Sequence, residues 1–235
     1  MIESFKLPFI FDVTDVAANL DNFVNAEWLP HFNTSYYSGN WNGLSLRNPG
    51  GNANSLYPAP NMISEYLDTP LMAHFPSVLK ILKKIECPVN SVRFLRLEKG
   101  AVIKEHFDNA LSFEDGEVRL HIPIRTNDKI EFISNGHLLP LQAGECWYIN
   151  ASLPHSVANR GDTDRIHLVL DCSVNDWVRT FFPKVDPNLK DNGMSSIRSE
   201  KDIDSMIELL QNMATPTSLK MAEDLIANKK PKSMS

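Results

Sequence analysis

The chain is poor in cysteine, has no long apolar run and carries no excess of basic residues, and each of these shortages excludes something. Three cysteines stand in 235 residues, Cys87, Cys146 and Cys172, far apart and odd in number. With no C-x-x-C pair to suggest zinc or redox work, they read as reduced, packed thiols. No apolar stretch approaches the roughly 18 residues that span a bilayer, so no membrane partner is expected. The opening MIESFKLPFIFD carries Glu3 and Lys6 and lacks the long apolar segment of a secretory signal, which makes the cytoplasm the expected location. Lys and Arg total 23 against 29 Asp and Glu, a net charge of -6, and no basic stripe appears, so nucleic acid is not an expected partner. What is present, 43% hydrophobic and 22% charged residues, suits one globular domain with a sizeable core and a small terminal appendage. The expected division is residues 1–183 and 184–235.

Along the chain, residues 14–28 read as a helix capped by Thr14 or Asp15, with Val16, Leu20, Phe23 and Val24 near helical spacing. An aromatic, polar run follows to Leu46. RNPGGNANSLYPAPN is then a long loop of the kind that often forms a functional lid. PSVLKILKKIE, residues 76–86, reads as a short helix with proline in its first turn and Val78, Leu79, Leu82 and Ile85 on one face. From Ser91 the period switches to two. Strands are expected over 91–97, 117–125, 129–134, 137–141, 145–150 and 165–171, with Gly136 and Gly144 at tight turns. In 117–125 Val118, Leu120, Ile122 and Ile124 share one face, and Arg119, His121, Pro123 and Arg125 the other. In 165–171 Ile166, Leu168 and Leu170 oppose Arg165, His167, Val169 and Asp171. Residues 199–213 and 217–227 read as two amphipathic helices, patching the core, forming a lid or contacting a second copy in a homodimer. The pattern predicts a mainly β, jelly-roll or cupin-like core with flanking N-terminal and C-terminal α-helices.

Polar residues on the inward face of such strands call for a site. His106-x-Asp108 is followed by His155 and by Arg165. Two imidazoles and a carboxylate can hold one face of Fe(II), leaving positions for a bidentate acid and dioxygen. A downstream arginine could hold the far carboxylate of that acid. The triplet alone says little, since 7 histidines and 29 acidic residues in this length give about one His-x-acid triplet by chance. His137, His155 and His167 all offer themselves as the second imidazole. Spacing adds weight: His106 and Asp108, two apart in extended chain, point to one side, and His155 lies in a proline turn before the strand that carries Arg165. Inward arginines without partners would be costly, so Arg119 and Arg165 call for an anionic guest.

VRFLRLEKGAVIKEHFD, EVRLHIPI and AGECWYINASLPHSVANRGDTDRIHLVLD together resemble the aspartyl/asparaginyl β-hydroxylase family of 2-oxoglutarate oxygenases, with the bacterial L-proline cis-4-hydroxylases close to this pattern. The resemblance covers roughly residues 40–175. It implies a double-stranded β-helix core. It also implies Fe(II) at His106, Asp108 and His155, 2-oxoglutarate with its distal carboxylate on Arg165, and O2 as co-substrate. His121 matches a position near the co-substrate, and Arg119 one near a co-substrate or substrate carboxylate. The vertebrate aspartyl hydroxylases lack the acidic ligand that this chain keeps as Asp108, which points toward free-amino-acid hydroxylases.

The reading that follows is hydroxylation of an unactivated C–H of an amino acid, free or as an Asp/Asn-type side chain, with succinate and CO2 as co-products. Arg165 already accounts for the distal carboxylate, so Arg119 is left without an anion and is expected to bind the substrate's carboxylate. Trp41 and Tyr57 flank the glycine-rich loop and are candidates to cover the substrate, with residues 48–61 closing over it. Two other classes use similar residues. A non-catalytic, cupin-like sensor of metal or 2-oxoglutarate could use the same ligands, although a sensor of metal alone has no use for two inward arginines. A zinc hydrolase is disfavoured because H-E-x-x-H is absent.

Overall fold

The computed structural model describes residues 3–23, 28–56, 65–108 and 111–186, together with scattered helical positions between 204 and 226. The elements run β1 (Phe5–Ile10), α1 (Thr14–Leu20), β2 (Leu29–Pro30), β3 (Tyr37–Ser38), β4 (Trp41–Pro49), β5 (Tyr66–Asp68) and α2 (Pro76–Leu82). They continue as β6 (Val89–Leu97), β7 (Val102–His106), β8 (Glu117–Arg125), β9 (Ile130–Ser134) and β10 (His137–Leu138). The last are β11 (Glu145–Ile149), β12 (His155–Asn159), β13 (Arg165–Ser173) and α3 (Asp176–Val185). Among the described residues one antiparallel sheet runs β1-β11-β8-β13-β6-β4-β2, with β5 also paired to β4, and a second runs β10-β9-β12-β7-β3. This is the expected mainly β, jelly-roll architecture.

The period-two pattern decides which side chains enter the interior. On β6, β8 and β13 the outward residues Val92, Phe94, Val118, Leu120, Ile122, Ile166, Leu168 and Leu170 are buried in one cluster with Val16 of α1, Val78 and Ile81 of α2, and Val178 and Phe182 of α3. Over β6, β8 and β13 the outer side of the first sheet is therefore covered by helices. The inward set is mixed. Leu95, Leu97, Ile149 and Val169 meet Ile103, Phe132 and Val157 of the second sheet in a separate cluster that joins the two sheets. Arg93, Arg119, His121, Arg165, His167 and Asp171 are buried on that same inward side.

Several local expectations change. The helix expected over 14–28 ends at Leu20, where the N–H groups of Asp21, Asn22 and Phe23 turn back to carbonyls three residues earlier. Its start is capped from outside, with the Asp12 carboxylate accepting the Thr14 N–H at 3.0 Å rather than Thr14 or Asp15 acting as cap. In α2 Leu79 is 37% exposed and Ile81 takes its place on the buried face, because the face follows 77, 78, 81 and 85. The long-loop reading also gives way at its start. β4 runs through Pro49, and Arg47, Asn48 and Pro49 pair with Asp68, Leu67 and Tyr66. The buried Asn48 amide donates to the carbonyls of Asn52 and Ser55 at 2.7 and 2.9 Å, tying the turn down.

The sheets, with α1 to α3, belong to a compact unit of Met1–Ala59 and Ser64–Met194, and a second unit gathers Pro60–Ile63 with Ser195–Ser235. The expected boundary at 183/184 falls inside α3. In the second unit Ile207 and Leu210 are buried helical positions while Asp204 and Glu208 are not, as an amphipathic helix there requires. Gln211, Leu219, Ala222, Glu223 and Ile226 are helical as well, with Ala222 buried and the other four exposed, and the other residues of the helices expected over 199–213 and 217–227 lie outside the described residues. No described helix is long and apolar enough to cross a membrane.

Candidate active site

His106 ends β7 and His155 opens β12, and the two are register partners on adjacent strands. Their rings lie 4.3 Å apart between centroids. Each Nδ1 faces a backbone carbonyl two residues earlier, Lys104 at 2.8 Å for His106 and Leu153 at 2.9 Å for His155. A carbonyl can only accept, so each imidazole carries a proton on Nδ1, which leaves Nε2 as the nitrogen that faces the other donors. Asp108 lies two residues past the strand end, its N–H donating to the Ala151 carbonyl at 2.8 Å. Its Oδ1 lies 3.9 Å from His106 Nε2. One donor atom from each of the three side chains falls within 4.8 Å of the others, and among the described residues no other His, Cys, Asp and Glu group does so. Two imidazoles and a carboxylate on one side of a cavity suit Fe(II) with positions left open. His137 and His167, open on sequence grounds, are set apart: His137 is solvent-exposed beside Glu3, and His167 lies deeper on β13.

The three donors open into a cavity of about 210 Å³. Trp41, Arg93, Leu95, Arg119, His121 and Arg165 line it from the first sheet, Ile103, Phe132 and Val157 from the second, and His31 and Tyr36 from the chain before β4. Three buried arginines therefore converge on it, and their partners differ. Arg93 Nη1 donates to Asp171 Oδ2 at 2.7 Å. Arg119 donates from Nε to Asp171 Oδ1 at 2.7 Å and from Nη2 to Oδ2 at 3.2 Å, and its Nη1 reaches Asp108 Oδ2. Arg165 has no carboxylate among the described residues. Its Nη2 donates to His167 Nδ1 at 2.8 Å, its Nε has no partner, and its guanidinium sits 5.5 Å from the Phe132 ring centroid.

The titration of these groups follows from their neighbours. Burial with no compensating anion drags Arg165 down to about 9, the mark of a cation built to receive a negative guest. Burial alone would raise Asp108, but Arg119 and the two imidazoles more than offset it and hold the carboxyl below its ordinary value. Asp171 is likewise held far down: burial opposes, and Arg119 and Arg93 prevail. Burial, then the Arg165 charge, keeps His121 and His167 well below the imidazole range, so both are neutral. Because Arg165 donates to His167 Nδ1, the His167 proton sits on Nε2, which has no partner. His121 Nδ1 lies 3.2 Å from the same His167 nitrogen.

The expectation that Arg119 stands without an anion is overturned, because all three of its nitrogens are engaged by Asp171 and Asp108. The physical reason lies in the strand register, which sets Asp171 of β13 directly opposite Arg119 of β8. Trp41 is found in the cavity wall, its ring 3.4 Å from that of His31. Tyr57 lies outside the described residues. Sequence reasoning passed over Arg93, Asp171 and His31 as site residues. Asp171 sits on the same strand face as Arg165, and Arg93 on the same face as Leu95, so period two contained the signal for both. His31 is in irregular chain with no such signal. Burial, then Arg93, pushes it down to about 3, leaving a neutral ring against Trp41.

Residues 11–174 match the profile of the Aspartyl/Asparaginyl beta-hydroxylase family. The L-proline cis-4-hydroxylase of Rhizobium meliloti (strain 1021) is 27% identical over 193 residues, 81% of this chain and 68% of that protein. The crystal structure of a 2OG-Fe(II) oxygenase family oxidoreductase from Burkholderia pseudomallei superposes with a TM-score of 0.50 at 16% identity, covering 74% of this chain and 88% of the other. A Pseudomonas putida prolyl-4-hydroxylase gives 0.42 at 13% identity over 73% and 93%. With 164 of its residues matched, the chain belongs to the aspartyl/asparaginyl β-hydroxylase family of Fe(II)/2-oxoglutarate-dependent oxygenases.

Proposed function

We propose that the protein hydroxylates an unactivated C–H bond of a small amino acid, consuming 2-oxoglutarate and O2 and forming succinate and CO2. The observation that carries the reading is Arg165: a buried guanidinium with an unpartnered Nε, in the same cavity wall as a His-Asp-His group. His106, Asp108 and His155 would hold Fe(II). The iron, when bound, supplies the oxidising chemistry that no side chain here can provide. The protein's own contribution is binding and orientation. The carbonyls of Lys104 and Leu153 fix the two imidazole tautomers. Arg165 takes the distal carboxylate of 2-oxoglutarate as a two-pronged pair, and His121, neutral, lies beside it. Leu95, Ile103, Phe132, Ile149 and Val157 keep the cavity wall apolar, which excludes water from the reacting centre.

The similarity to an L-proline cis-4-hydroxylase makes free L-proline and related amino acids the first candidate substrates, with Asp and Asn side chains of peptides as the alternative. A sensor of metal alone would leave Arg165 without a counter-charge, and succinate formation separates turnover from a sensor that binds 2-oxoglutarate. The test is succinate formation from 2-oxoglutarate with Fe(II) and ascorbate across a panel of free amino acids, L-proline included, and short Asp- or Asn-containing peptides. Stimulation by one member, abolished by His155→Ala, is the expected result. Succinate formation indifferent to every member would remove amino-acid hydroxylation as the function.

A further inference from the structure

Asp171 makes no contact with the space where iron or 2-oxoglutarate would sit, yet it is the most heavily bonded carboxylate of the interior. It lies on β13, between β6 and β8, opposite Ser91 on one side and Arg119 on the other. Its side chain is 3% exposed. Oδ2 accepts from Ser91 Oγ at 2.9 Å, from Arg93 Nη1 at 2.7 Å and from Arg119 Nη2 at 3.2 Å, and Oδ1 accepts from Arg119 Nε at 2.7 Å. A guanidinium is planar and rigid. Once Nε and Nη2 are fixed on Asp171, the direction of Nη1 is fixed too, and Nη1 is the nitrogen that reaches Asp108 Oδ2. Asp108 thus has one oxygen committed to Arg119 and the other, Oδ1, turned toward His106 Nε2 at 3.9 Å.

We propose that Asp171 is a positioning residue for the metal centre: acting through Arg119, it makes Asp108 a ligand by one oxygen alone. The inference rests on the iron reading above and concerns how this chain builds the site. Without the Asp171 carboxylate, the Nε and Nη2 edge of Arg119 loses its partner, and Asp108 is the remaining carboxylate within its reach. A guanidinium pairing with both Asp108 oxygens competes with the metal for its only anionic ligand. Arg93, deprived of the same partner, adds a second uncompensated cation nearby. Both effects weaken metal binding, and neither involves Arg165, whose polar contact is His167.

The experiment is anaerobic Fe(II) titration of the metal-free protein, read by competition with a chromogenic chelator, for the parent, Asp171→Asn and Arg119→Lys, each first checked for native circular dichroism. Removing a group that orients a metal ligand costs 10–100-fold in metal affinity. Asp171→Asn is expected to lose iron affinity by about that factor, while the 2-oxoglutarate dissociation constant at saturating Fe(II) moves by less than about threefold. A purely structural carboxylate would lower thermal stability and leave both constants in place, and a folded Asp171→Asn with parental Fe(II) affinity overturns the proposal. Should Asp171→Asn fail to fold, Arg119→Lys decides: a lysine ammonium cannot bridge two carboxylates with fixed geometry, so parental affinity there overturns it as well. If the parent binds no Fe(II), or binds it equally well after His155→Ala, the iron reading falls and this inference with it. If the parent binds and only the variants match it, this inference falls alone.

Discussion

Arg165 shows how a single residue can declare a ligand. Arg93 and Arg119 are buried too, but each is paired with the Asp171 carboxylate: Asp171 and Asp108 together more than offset the burial of Arg119, while burial still pulls Arg93 somewhat below its ordinary value. Arg165 has a neutral histidine for a partner and a phenyl ring beside it, and a cation left so in the interior is expensive unless something anionic arrives. The expected consequence is a steep dependence of co-substrate binding on guanidinium shape. Arg165→Lys keeps the charge but cannot present two parallel N–H groups to a carboxylate. It should weaken 2-oxoglutarate binding by roughly 2–5 kcal/mol, the usual loss for a desolvated, hydrogen-bonded charge pair, with Fe(II) affinity little changed. The apparent KM for 2-oxoglutarate at saturating iron is the measurement. A KM within threefold of the parent's would assign the distal carboxylate to another group.

At the scale of elements, legibility tracked how one-sided each element is. The strands 117–125 and 165–171 were read with nearly the observed bounds because an all-aliphatic face opposes a polar one, and that contrast reflects helices outside and a site inside. β7 and β12, which carry His106 and His155, gave no such contrast. Val102-Ile-Lys-Glu-His106 and His155-Ser-Val-Ala-Asn159 mix polar and apolar residues at short length, so both histidines were placed without knowing that their strands pair. The helix α3 was missed for another reason. Pro183 stands inside it, and the chain beyond Phe182 turns polar, which reads as a break. Its start, however, is capped by Asn175, whose Oδ1 accepts the Val178 N–H at 3.1 Å, and Val178 and Phe182 then seal the outer core. Asn175→Ala should therefore cost about 1 kcal/mol of stability, measured as a shift in the urea midpoint with unchanged m-value. No shift would mean that packing of Val178 and Phe182 holds the helix without its cap.

For the molecule as a whole, an interior stocked with neutral imidazoles has a cost in acid. Burial first, then nearby arginine charge, holds His121 and His167 well below their ordinary value and His31 at about 3. Unfolded, the same rings titrate near pH 6.5. Above that pH both states bind the same number of protons and the histidines do not affect stability. As pH falls through about 6.5 the unfolded chain takes up protons that the native chain refuses, so stability drops, and it keeps dropping until the depressed native values are reached. Each such proton contributes a slope of about 1.4 kcal/mol per pH unit. Three give roughly 4 kcal/mol per unit, enough to exhaust a typical domain stability of about 5–15 kcal/mol within a few pH units. The paired carboxylates Asp108 and Asp171 add loss of the same sign only further down, below the ordinary carboxylate range. The urea midpoint of the metal-free protein should be flat between about pH 7 and 8 and fall steeply below about 6.5, with uptake of at least about three protons on unfolding, to which His155, also held down by burial, adds. His167→Gln should flatten that fall by about one proton even if it lowers the plateau. A midpoint unchanged from pH 7.5 to 5 would show that these rings are not held neutral in the folded protein, and with them would go the case for Arg165 as a cation whose only polar partner carries no charge.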